Sequence, residues 1–313
     1  MTEKNSAPSA KPDVLVVAKL WPPMMELLQG AFTVHDRTHQ SDPAAFAAAA
    51  PHIRAIAASG ESKVTRELIA QLPALEIVSV YGVGYDGVDV AAARARGVPV
   101  THTPKVLNDD VADLAIGLML AVARRIPQAD RYVRDGRWPG GPASLGRKVS
   151  GTRLGIVGLG RIGNAIAARA AAFGMSIAYT ARSAKAESPY RFFASAEALA
   201  AQVDFLVVIT PGGAATRKLI DAKVLAALGP DGYLINVARG SVVDETALVQ
   251  ALQQRTIAGA GLDVFEDEPN VPAALCALDN VVLTPHIGSG TWQTRGAMTD
   301  LAFGNLQAHF AGK

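Results

Sequence analysis

The chain has one cysteine, Cys276, among 313 residues. A lone thiol builds neither a disulfide framework nor a thiolate metal cluster, and it suits a reducing compartment. Neither sign of charge is in excess: 30 Lys and Arg against 28 Asp and Glu leave +2, and no Lys/Arg run occurs. A nucleic-acid surface usually carries a strong basic stripe, so that class is set aside. Long apolar runs are missing too. The longest, Val111–Ala123, is interrupted by Asp113 and is shorter than the roughly 20 residues a bilayer requires. The opening MTEKNSAPSAKPD is polar, lacks the apolar segment of a secretory signal, and reads as a loose tail. The expectation is a cytoplasmic protein with no membrane, nucleic-acid or metal partner. Aromatics are scarce at 6%, while 29 glycines and many alanines suit helices packed closely on sheets.

Half the residues are apolar, and the length suits two domains of ordinary size. DVLVVA (13–18), IRAIAAS (53–59) and LEIVSVY (75–81) read as buried strands, followed by VPV after a helix stop at Gly97. PAAFAAAA (43–50), TRELIAQL (65–72) and DVAAARARG (89–97) read as the helices between them. This alternation implies a parallel sheet covered on both faces. Residues 106–126 read as one long helix, with Asn108, Asp109 and Asp110 as capping candidates. A Gly/Pro-rich loop follows and carries Trp138, a large aromatic that packs either on its own domain or on a second subunit. A second alternation begins at Arg153, with strands at 153–158, 176–180, 204–209, 232–237, 259–264 and 280–285. The last helix, near Trp292–Phe310, is expected to return to the first domain. The fold class is therefore α/β with two doubly wound parallel-sheet domains. A Rossmann domain (104–286, including an arm at 106–145) is inserted into a discontinuous flavodoxin-like domain (1–103 and 287–313).

GLGRIG (158–163) follows the strand ending at Val157 and opens a helix at Arg161, the context that makes G-x-G-x-x-G meaningful. Gly158 permits the turn, Gly160 lets a pyrophosphate approach the backbone, and Gly163 lets helix and strand pack closely. The helix start then offers free N–H groups to phosphate. A second match, GVGYDG (82–87), is rejected as a phosphate site because Asp86 and Asp89 would repel the anion. Its backbone N–H groups make either a simple glycine turn or a site for a small carboxylate.

What is missing after the second strand of this domain is informative. An Asp or Glu about 20 residues past the loop would bond the ribose 2′-hydroxyl of NAD. Here the first carboxylate after Thr180 is Glu187, and Arg182 and Ser183 stand in its place. A guanidinium fork and a hydroxyl suit the 2′-phosphate of NADP. The plainer alternative is that Arg182 is a solvated loop residue, as Lys185 is expected to be.

NVARGSVVDE (236–245), GLDVFEDEP (261–269) and TPHIGSG (284–290) lie at the carboxyl ends of expected strands, where open α/β sheets bind ligands. Together with YGVGYDGVD, DDVADLAIGLML and GIVGLGRIG, in this order, they resemble the D-isomer-specific 2-hydroxyacid dehydrogenase family over nearly the whole chain. Within it the resemblance is to NADPH-dependent glyoxylate/hydroxypyruvate reductases. The resemblance implies a homodimeric reductase that converts small 2-ketoacids to D-2-hydroxyacids with NADPH, and more weakly with NADH. It implies that Arg239 binds the carboxylate and keto oxygen, that His286 donates the proton, and that Glu268 holds the imidazole and favours its charged form. It also assigns the Val83 and Gly84 N–H groups to the substrate carboxylate, Arg161 and Ile162 to the pyrophosphate, and Thr210 and Val237 to the cofactor. Asp263 would lie near the nicotinamide carboxamide, and Trp138 would reach the partner's substrate. Asp113 stands where the family often has Glu, a position expected to be structural. Two rival readings remain. One is an NAD-dependent lactate- or phosphoglycerate-type dehydrogenase, the latter disfavoured by the chain's end at Lys313. The other is a nucleotide-sensing, corepressor-like binding protein.

Overall fold

The computed structural model describes residues 11–312, so most of the expected loose tail lies outside the described residues. The chain divides into two compact units. One runs up to Val106 and resumes at Trp292; the other is Leu107–Thr291. The changeovers fall a few residues later than the expected 103/104 and 286/287.

The first unit carries β1 (Asp13–Val16), β2 (Thr33–Asp36), β3 (Ile53–Ser59), β4 (Ile77–Tyr81) and β5 (Val100–Thr101). All pair parallel, in the order β2-β1-β3-β4-β5, the flavodoxin-like arrangement. Leu15, Ile56, Val78 and Val80 are fully buried, as a sheet covered on both faces requires. Asp89 accepts the Ala92 N–H as the cap of helix Val90–Ala95, so its carboxylate has a structural task. Helix Trp292–Phe310 closes this unit and runs antiparallel to β4. The Ser79 hydroxyl donates to the Ala302 carbonyl and the Tyr81 hydroxyl to the Arg295 carbonyl, each at 3.0 Å.

The second unit carries β6 (Arg153–Val157), β7 (Ser176–Thr180), β8 (Arg191–Phe193), β9 (Phe205–Val208), β10 (Tyr233–Asn236), β11 (Gly259–Leu262) and β12 (Val281–Leu283). They pair parallel in the order β12-β11-β10-β9-β6-β7-β8. The direction of winding reverses between β6 and β9, which is the Rossmann order. Two short edge strands, β2 and β8, add to those read from the sequence.

The expected long helix at 106–126 is two helices. Asn108–Ala123 ends at a turn in which Arg125 is left-handed (φ 54°), and Ile126–Arg134 begins there with Pro127 in its first turn. Pro127 has no N–H to donate to Ala123, so the ladder cannot run through it. Asn108, Asp109 and Asp110 do not cap by side chain: the cap position is Leu107, and the acids lie in the first turn. Asp109 and Asp113 both pair with Arg169 of helix Arg161–Ala172, which packs on helix Asn108–Ala123. Asp113 is thus an inter-helix ion-pair partner. Among the described residues no helix is long and apolar enough to cross a membrane.

Asp204 ties together the amino end of the second sheet. Its side chain is 13% exposed and accepts the Arg153 backbone N–H, the Arg153 guanidinium and Arg147. The Arg153 hydrogen bond outweighs the cost of burial and holds the carboxyl below the ordinary carboxylate range. A depressed folded-state pKa adds stability above the unfolded value of about 3.9, and this is lost as pH falls through the folded one. Asp204→Asn is therefore expected to cost about 1–3 kcal/mol at pH 7. Thermal unfolding followed from pH 7 into the acid range should show the gap between the two proteins closing below about pH 4.

Candidate active site

At the β6 carboxyl end, Gly158 takes φ 106° and donates its N–H to the Thr180 carbonyl at 2.9 Å. A Cβ there would lie 2.7 Å from the Ile209 carbonyl oxygen, and one on Gly163 would lie 2.3 Å from the Gly158 oxygen. These two glycines allow strand and helix to meet. Gly160 differs: a Cβ on it would meet nothing within 4 Å, and no side chain caps the helix that starts at Arg161. Its neighbours Arg161 and Ile162 open that helix, whose first N–H groups carry a partial positive charge. An open backbone face beside an uncapped helix start suits the pyrophosphate of a dinucleotide.

Arg182 and Ser183 follow the end of β7, both exposed. The Lys185 backbone N–H donates to the buried Tyr179 hydroxyl at 2.7 Å, which fixes this loop from below while the Lys185 side chain stays exposed. Thr210 follows β9, and the buried Val237 follows β10.

Arg239 stands two residues beyond Val237. The loop that carries it is braced by Asn236, 1% exposed, whose amide donates to the Arg239 carbonyl and accepts the Ala238 N–H, each at 3.1 Å. Gly240 follows; a Cβ there would lie 1.9 Å from the Phe265 carbonyl carbon. Only a glycine allows this Arg239 loop to press against the Phe265–Glu268 loop after β11.

Glu268 uses both oxygens. One accepts the Phe265 N–H at 2.9 Å, and the other meets His286 Nδ1 at 2.8 Å. Nearby, burial pushes the Glu245 carboxyl above its ordinary value while its oxygen accepts the Glu266 N–H. His286 itself is left-handed (φ 53°), a conformation costing a bulky L-residue about 1 kcal/mol or more. Asp263 enforces it. This carboxylate, 2% exposed, accepts the Thr284 hydroxyl at 2.6 Å and the Ile287 and Gly288 N–H groups at 2.8 Å, on both sides of the histidine. The His286 N–H donates to the Asp263 carbonyl at 2.9 Å.

The structure therefore joins Glu268 and His286 directly, and it links the Arg239 loop to theirs through backbone contact. Val83 and Gly84 belong to the other unit. There they are half-buried, and neither N–H has an acceptor among the described residues. Trp138 is 66% exposed in a turn between helix Ile126–Arg134 and β6. Two supporting residues were not singled out from the sequence, Asn236 and Thr284. Their only signal was a polar side chain closing an apolar run.

The model of the NAD-binding domain of the D-isomer specific 2-hydroxyacid dehydrogenases matches residues 116–288. The chain is 53% identical over 264 residues to a hydroxyphenylpyruvate reductase of Plectranthus scutellarioides, covering 84% of each. It is 46% identical to a 2-ketogluconate reductase of Gluconobacter oxydans, covering 97% of each. Among solved structures it is similar to an NADPH-dependent glyoxylate/hydroxypyruvate reductase of Sinorhizobium meliloti in complex with NADP and malonate. That match has a TM-score of 0.91 and 49% identity, over 96% of this chain and 94% of that one.

The glycine geometry separates binding from folding. Gly160→Ala should leave the unfolding temperature of the protein unchanged and weaken dinucleotide binding by about tenfold or more, since the new methyl group sits where phosphate approaches. Gly163→Ala should lower the unfolding temperature, because its Cβ meets backbone. Calorimetric melting and cofactor titration of the two variants check this.

Proposed function

Because the chain belongs to the D-isomer specific 2-hydroxyacid dehydrogenase family, we propose that it reduces small 2-ketoacids, glyoxylate and hydroxypyruvate foremost, to D-2-hydroxyacids with NADPH. The contact between Glu268 and His286 supports this reading most directly. NADPH, when bound, supplies a hydride to the keto carbon. His286 gives its Nε2 proton to the keto oxygen, while the Glu268 carboxylate at Nδ1 fixes the ring and stabilises the charged imidazole before transfer. Proton transfer from a positioned group is worth about 100- to 10,000-fold in rate. Arg239, permanently charged and forked, holds the ketoacid carboxylate and polarises its carbonyl. In the first unit, the unengaged N–H groups of Val83 and Gly84 are donors suited to a small carboxylate.

Arg161 and Ile162 offer backbone N–H groups to the pyrophosphate, and Thr210 and Val237 flank the dinucleotide. The Asp263 carboxylate, with three donors already on it among the described residues, has a lone pair left for a carboxamide N–H. Arg182 and Ser183 take the 2′-phosphate, and no carboxylate stands between Thr180 and Glu187 to repel it.

The assembly we propose is a homodimer. Helix Ile126–Arg134 has no buried residue, and Ile126, Val133, Trp138 and Leu145 are 51%, 55%, 66% and 94% exposed. A second copy over this arm would bury them and bring Trp138 to the partner's substrate. An NADPH-driven reduction and a single cysteine suit the cytoplasm.

The test is steady-state reduction of glyoxylate and hydroxypyruvate with each reduced cofactor. Turnover with NADPH ahead of NADH is expected. Arg182→Ala should raise KM for NADPH by about tenfold or more and leave that for NADH nearly unchanged. A wild-type preference for NADH contradicts the cofactor assignment.

A further inference from the structure

The mechanism leaves unused the most exposed tryptophan of the chain. Trp292 is 80% exposed, and its ring lies 5.9 Å from that of Trp21, tilted by 54°. Both belong to the first unit. Trp21 stands just past the carboxyl end of β1 and opens helix Pro22–Ala31. Trp292 is the first residue of the closing helix.

That helix fixes where the pair sits. Its Ala302 carbonyl meets Ser79, and its Arg295 carbonyl meets Tyr81, the last residue of β4. Going back along the helix from 302 to 295 therefore follows β4 toward its carboxyl end. Trp292, nearly one turn further, lies beyond Tyr81 on the side where the chain continues to Val83 and Gly84. The next strand agrees. A Cβ on Gly82 would lie 3.2 Å from Gly60, so the turn after β3 closes against the same loop. β1 is two strands from β4, or about 10 Å at ordinary spacing. The tryptophan pair and the open N–H groups of Val83 and Gly84 thus share one edge of one sheet.

We infer that Trp21 and Trp292 form the subsite for the side chain of the ketoacid, and that the chain accepts 2-ketoacids with a flat aromatic side chain. This rests on the ketoacid-reductase reading above and names its substrate class. With the carboxylate on the Val83 and Gly84 donors, a ring one methylene beyond the keto carbon extends along the sheet edge toward the two indoles. Aromatic rings pair favourably at such centroid separations and tilts, and a solvent-exposed indole leaves a face for a third ring. Glyoxylate has no side chain and does not reach the pair.

The test compares 3-phenylpyruvate, 2-ketogluconate and glyoxylate with NADPH, using the full-length protein and its Trp292→Ala and Trp292→Phe variants. Wild-type turnover of phenylpyruvate and glyoxylate is expected. Trp292→Ala should raise KM for phenylpyruvate about tenfold with kcat little changed, and Trp292→Phe should restore most of it. The kcat/KM for glyoxylate should stay within about twofold in both variants. No change, or an equal loss on phenylpyruvate and glyoxylate, overturns the subsite. A loss confined to 2-ketogluconate overturns the aromatic assignment. A wild-type protein that reduces none of the three overturns the reductase reading, and this inference with it.

Discussion

Asp263 sits at the carboxyl end of β11 with almost no access to water, and a carboxylate so placed is costly unless its lone pairs are filled. The chain fills them from the next strand's loop, with the Thr284 hydroxyl and the N–H groups of Ile287 and Gly288. Those donors lie on both sides of His286, so satisfying the buried charge leaves the histidine one backbone conformation. That conformation is left-handed and unfavourable for its residue type, and the loop keeps it because the alternative strands a buried anion. The imidazole then meets Glu268, itself anchored by the Phe265 N–H. The imidazole is thus positioned through a carboxylate bonded to the residues on either side of it.

The same logic extends across the sheet. Parallel strands end together, so loops from β6, β7, β9, β10, β11 and β12 share one edge. Gly240 lets the loops after β10 and β11 touch backbone to backbone, and Gly163 lets the phosphate-loop helix rest on Gly158. At Gly160 the absence of a side chain leaves space instead of contact. In the function we propose, cofactor selectivity falls to Arg182 and Ser183, exposed after β7, where a missing acid matters as much as the guanidinium that replaces it.

Much of this was legible in the sequence, because buried parallel strands read as short apolar runs between helices. The bounds of β3, β7 and the closing helix match those read from the pattern. β2 and β8 escaped because they are short edge strands, half-exposed or worse, with little apolar signal. The break at Arg125 was masked by apolar residues continuing on both sides, although Pro127 was the physical cue. In the site, Glu268 and His286 were legible as chemistry, and the structure brings them together. Asn236, Thr284 and the bracing task of Asp263 were not, since a buried hydrogen-bond partner has no periodicity to announce it. The aromatic pair was out of reach for the same reason: Trp21 and Trp292 are 271 positions apart, and only the return of the last helix joins them.

The most direct measurement is the pH dependence of kcat/KM for ketoacid reduction in the wild-type protein and in Glu268→Gln. If His286 must carry a proton and Glu268 stabilises that charged state, removing the carboxylate should move the alkaline fall in activity to lower pH. The activity remaining on the acid side of that fall should be largely retained. An alkaline limb that stays where it was, with or without a uniform loss of rate, would contradict the pairing of these two groups as the source of the proton.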